Sequence, residues 1–87
     1  MQVPKLKVLV EAGAVREVAV SYAADTGGWV AHVTYATRNG ARTEVLERQR
    51  GGARGFATLD AVARCLAGLG LPTFRVDAAG LTGEEAP

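Results

Sequence analysis

The sequence holds a single cysteine, Cys65, so no internal disulfide can form and no multi-cysteine zinc site is available. No run approaches the ~20 apolar residues that a membrane helix needs. Lys5, Lys7 and Glu11 interrupt the N-terminal apolar residues, which argues against a signal peptide and sets the cytosol as the expected location. Lysine is scarce: eight of the ten cationic residues are arginine, whose planar fork suits phosphate and carboxylate. GC-rich coding is the bland source of the same bias. Proline is scarce too, with three residues against eleven glycines. That ratio implies many tight turns, in loops that cost entropy to order.

What is present is globular. The chain is 48% hydrophobic and 22% charged, outside the range of disordered sequences. Its 87 residues suit one domain with a modest core. Residues 1–77 read as a single α+β domain and residues 78–87, with Glu84 and Glu85, as a flexible acidic tail.

Two periods organise the domain. Met1 to Gly13 fits a short helix, with Pro4 in its first turn, Leu6, Leu9 and Val10 on one face and Gly13 as its stop. The same residues also alternate as a strand from Lys5 to Val10; the helix-forming Leu, Lys, Glu and Ala tilt the reading to a helix. From Arg16 to Ala23 the period is two, with Val18, Val20 and Tyr22 on one side. Trp29 to Thr37 repeats it, and Trp29, Ala31, Val33 and Tyr35 mark the core face. Asn39-Gly40 predicts a two-residue hairpin. Arg42 to Gln49 then reads as a third strand, and Phe56 as a return to the core.

Thr58 is a suitable N-cap, with Asp60 in the positive first turn. Leu59, Val62, Ala63, Leu66 and Leu69 recur at helical spacing until Gly68, Gly70 and Pro72 end the run. Thr73 to Asp77 closes the pattern as a short strand with Phe74 and Val76 inward. The expected architecture is α+β: a three-stranded antiparallel meander, one main helix packed on one face, a short final strand and a short N-terminal helix.

Catalytic groups do not converge in this pattern. His32 as a general base needs a nucleophile and an orienting group, and it falls mid-strand on the less apolar face. Cys65 falls inside a helix and reads as a small apolar residue rather than a reactive thiol. Glu44 and Glu47, three apart on a strand, point to opposite faces, against a paired-carboxylate site. Gly51 to Gly55 lacks the pattern of a phosphate-cradling loop. The expectation is a non-enzyme with no cofactor and no metal.

Arginine clusters instead. Arg38, Arg42, Arg48, Arg50 and Arg54 stand against Glu44 and Glu47 alone, a local excess of three positive charges in a chain of net charge +1. A basic β-ribbon suits a DNA groove or a phosphate backbone. The alternative is a solvated strand edge that charge protects from aggregation. Trp29 and Tyr35 offer rings for base stacking, or core residues, and the face they share with Val33 favours the core; Tyr22 carries the same two readings.

The run Leu-Val-Glu-Ala-Gly-Ala-Val-Arg-Glu-Val at residues 9–18, then Gly27-Gly28-Trp29, Arg48 to Phe56 and Leu59 to Val76, resembles a family of short proteins. These are the ParC-type partition-associated or plasmid replication proteins of plasmids and integrated islands. The resemblance covers most of residues 6–77. It implies an accessory role in maintaining a mobile element and supplies no catalytic residue. The order helix, three strands, helix is also similar to double-stranded RNA-binding domains, but the second helix lacks their lysine-rich N-terminal motif. The expected partners are DNA through the five arginines or, alternatively, a second copy or another element-encoded protein through a sheet edge, with the first or the last strand as that edge.

Overall fold

The computed structural model describes residues 1–81. A first helix, α1 (Val3–Glu11), takes Pro4 in its first turn and stops at Gly13, whose φ of 69° only glycine adopts without strain. It buries Leu6 and leans Val3, Leu9 and Val10 on the core. Strand β1 (Val15–Ala23) bulges between Val15 and Glu17 and pairs antiparallel with β2 (Gly28–Thr37). β2 pairs antiparallel with β3 (Gly40–Val45). The second helix, α2 (Leu59–Gly68), starts where the Thr58 hydroxyl accepts the Ala61 N–H at 3.1 Å. It leads to the short β4 (Arg75–Asp77).

The sheet order is β3-β2-β1-β4, with β4 parallel to β1. The three-stranded meander and its covering helix are as the periodicity predicts, but the sheet is mixed and has four strands. β3 and β4 run the same way, so their connection must cross the sheet, and α2 makes that crossing. Val18, Val20, Trp29, Ala31, Val33 and Tyr35 line the inner face, and Leu6, Val62 and Leu66 pack onto them.

Three local expectations need correction. The hairpin turn is Arg38-Asn39, one residue earlier than expected, with Thr37 and Gly40 as the closing pair. Among the described residues only glycines have positive φ, and Gly40 carries φ 118° just past the turn. The third strand ends at Val45 rather than Gln49. Leu46 sinks into the core, and the chain then reverses through Arg48 to Gly52, where Gly51 (φ 93°) and Gly52 (φ 79°) make the turn. In β4, Val76 lies beside the buried Val20 and so on the inner face as expected, but it is not buried, at 42% exposed, while Phe74 packs as expected.

Two further expectations meet the same geometry. The first strand is not an edge, since β2 and β4 flank it; the edges are β3 and β4. Of the expected tail, Ala79–Leu81 forms one 3-10 turn with Gly80 lodged against the Tyr22 carbonyl. Residues 82–87 lie outside the described part.

Candidate nucleic-acid interface

The hairpin turn, β3 and the segment after it carry all five arginines of the predicted site. Arg38 lies in the hairpin turn and Arg42 near the start of β3, opposite Tyr35 of β2; both are exposed. Arg48, Arg50 and Arg54 belong to the glycine loop beyond the other end of β3. The strand between them spans roughly 20 Å at the usual rise per residue. The structure therefore gathers the arginines into two groups along one edge rather than one stripe.

Within the loop the three differ. Arg48 is turned on its own segment: its Nε donates to the Gly51 carbonyl at 3.2 Å, and its backbone N–H to the Gly52 carbonyl at 2.9 Å. Arg54 is half-buried with its guanidinium over the Phe56 ring, 4.6 Å from the centroid, a cation–π contact. Together with Gln2, Val3, Pro4, Glu47 and Gln49 it lines a groove of about 420 Å³ at the start of α1. Arg50 is exposed. Among the described residues, the guanidinium groups of Arg38, Arg42 and Arg50 have no ion-pair partner.

The two glutamates that interrupt this basic segment are engaged elsewhere. Glu44 shares the inner face with Tyr35 and accepts hydrogen bonds from the Tyr35 hydroxyl and from Lys5 Nζ, the latter at 3.1 Å. Lys5 also donates to the Tyr35 oxygen at 3.2 Å and sits 5.2 Å from the centre of its ring. The Tyr35 hydrogen bond first, then Lys5, holds the Glu44 carboxyl at about 2, well below the usual carboxylate range. Lys5's own hydrogen bonds, to Tyr35 first and then to Glu44, raise it above its ordinary value. The amine of Met1 lies 3.6 Å from Glu44 and 3.3 Å from Glu47. No arginine of the segment is neutralised by Glu44 or Glu47.

The rings are not offered to bases: Trp29 is 7% and Tyr35 5% exposed, and Tyr22 packs edge-on against Trp29 at 5.3 Å. Cys65 is half-buried against the core. One contact escaped the sequence reading. Ser21 Oγ and His32 Nε2 are 3.2 Å apart on the outer sheet face, because the register sets Ala19 opposite His32 and Ser21 on the diagonal. Alternation plus the β1–β2 register is the signal that finds it. No described carboxylate hydrogen-bonds that imidazole to orient it as a catalytic triad requires. No group of three or more potential metal ligands occurs among the described residues, and no described helix is long and apolar enough to cross a membrane.

A family model described as ParC-like matches residues 1–83, nearly the whole chain. The chain belongs to the ParC-like family. The match spans the arginine-bearing hairpin, the glycine loop and α2, so the candidate interface of this ParC-like chain lies inside the family's own domain. No curated protein and no solved structure matches it at a significant level.

Proposed function

We propose that this ParC-like protein is a non-enzymatic accessory factor of a mobile genetic element that grips the phosphate backbone of a nucleic acid along its β3 edge. Arg38 and Arg42 serve one end of the contact, and Arg50, with Arg48 and Arg54 beside it, the other. The span of roughly 20 Å matches somewhat more than half a turn of a duplex, about 34 Å. Glycine neighbours leave backbone room for Arg50 to approach a phosphate closely.

The observation that carries this reading is the division of charge. Lys5, Tyr35 and the Met1 amine hold the only two carboxylates of the segment, while Arg38, Arg42 and Arg50 stay exposed and unpaired among the described residues. A strand edge that needed charge only for solubility would gain as much from internal pairs.

Fluorescence anisotropy of a labelled duplex tests it. The expected outcome is binding at low salt that is markedly weaker in the triple variant Arg38→Ala, Arg42→Ala, Arg50→Ala, whose circular dichroism is unchanged. Equal binding by both proteins, or none by the wild type, removes the proposal.

A further inference from the structure

The outer margin of β3 is an open backbone ladder with fixed ends. Leu46 N–H donates inward to the Ala31 carbonyl, whereas the Val45 carbonyl accepts the Met1 amine at 2.7 Å from the outer side. Backbone groups alternate in direction along an antiparallel strand. Ala41 and Thr43 therefore face outward with Val45. The Arg38-Asn39 turn closes one end of this stretch. Met1, bonded to both Val45 and Glu47, closes the other.

Read antiparallel about Thr43, the edge Ala41-Arg42-Thr43-Glu44-Val45 is complementary to itself. Arg42 then faces Glu44 of the other strand, and Glu44 faces Arg42. The neighbouring registers do worse. One sets Arg42 opposite Arg42, and the other sets Glu44 opposite Glu44. Like charges directly opposed destabilise a strand pair.

We propose that β3 pairs antiparallel with β3 of a second copy of this chain, centred on Thr43, so that two four-stranded sheets become one of eight strands. The contact is isologous and closes on itself as a two-fold dimer. Thr43 exchanges both backbone bonds with its counterpart, and the ladder stops short of Val45, whose carbonyl Met1 already holds. A ladder this short buries less than a standard interface, so the dimer forms reversibly with concentration. Antiparallel pairing also carries the hairpin tip of each copy to the loop end of the other. The pairing rests on the edge alone: it covers β3 and draws Arg42 onto Glu44 of the other copy, so a duplex would compete with it for that edge.

Crosslinking without nucleic acid tests it. In a Cys65→Ser background, Thr43→Cys is expected to give a covalent dimer with a short thiol-reactive bifunctional reagent. Arg64→Cys, exposed on α2, is expected to stay monomeric. In sedimentation velocity the wild type is expected to dimerise with rising concentration, whereas Thr43→Pro, which removes an outward N–H that β2 does not use, stays monomeric with its circular dichroism unchanged. If Thr43→Pro fails to fold, the crosslink decides. A wild type that remains monomeric up to ~1 mM, where binding would be worth only about 4 kcal/mol, overturns the pairing, as does equal crosslinking at both cysteines. Duplex binding by a chain that is monomeric without DNA would end the pairing and leave the nucleic-acid reading intact; a dimer that ignores DNA would do the reverse.

Discussion

Glu44 is the residue whose protonation the fold notices most. Its folded-state value of about 2 lies below the ordinary 4.5, because Tyr35 and Lys5 hydrogen-bond the charged form. A depressed carboxyl stabilises the fold fully above its unfolded value and loses that stabilisation as pH falls toward the folded one. Urea unfolding is therefore expected to show the wild type more stable than Glu44→Gln at pH 6, with the gap closing between pH 4.5 and 2. A gap that does not vary with pH would contradict the assignment. Lys5 works in the opposite sense: its raised value contributes below 10.5 and is lost as pH climbs beyond it. Thr58 offers a second residue-scale check. Its hydroxyl satisfies the Ala61 N–H at the open end of α2, so Thr58→Ala is expected to cost about 1 kcal/mol in thermal or urea unfolding.

Among the elements, β2 holds the molecule together, because β1 flanks it on one side and β3, then Phe56, on the other. Trp29 and Phe56 exchange both backbone hydrogen bonds at 2.8 Å. A methyl on the preceding Gly28 would strike the Phe56 carbonyl oxygen, a backbone atom that cannot swing aside. Gly28→Ala is expected to destabilise the fold by roughly 1–3 kcal/mol or more, measured by denaturant midpoint; a near-neutral result would mean the Phe56 return is not held as described. Much of this layer was legible beforehand. Period-two runs located β1 and β2 and their core faces, and the 3.6 period with Thr58 in front located α2. The sequence was silent where tertiary contacts decide. Leu46 reads as one more strand residue, and only its burial and the Met1 backbone explain why β3 stops one position earlier. The three residues of β4 carry no period long enough to declare a parallel neighbour.

At the scale of the whole molecule, the two helices and the inner sheet face share one core, which leaves the outer sheet face and the β3 edge to meet other molecules. The composition of the candidate interface was legible, since five arginines crowd seventeen residues of sequence. Its shape was not. Where β3 ends determines that Arg48, Arg50 and Arg54 leave the strand, and partners distant in sequence, Lys5 and Met1, determine that Glu44 and Glu47 do not neutralise it.

The salt dependence of duplex binding tests the central claim most directly. If Arg38, Arg42 and Arg50 each neutralise one phosphate, each contributes nearly one unit to the slope of log affinity against log salt. Those three contacts together then account for a loss of roughly 40-fold between 50 and 200 mM salt. The account predicts that steep fall in the wild type and a slope shallower by nearly one unit for each arginine replaced with alanine. A slope that is flat, or that stays the same in the triple variant, would contradict it.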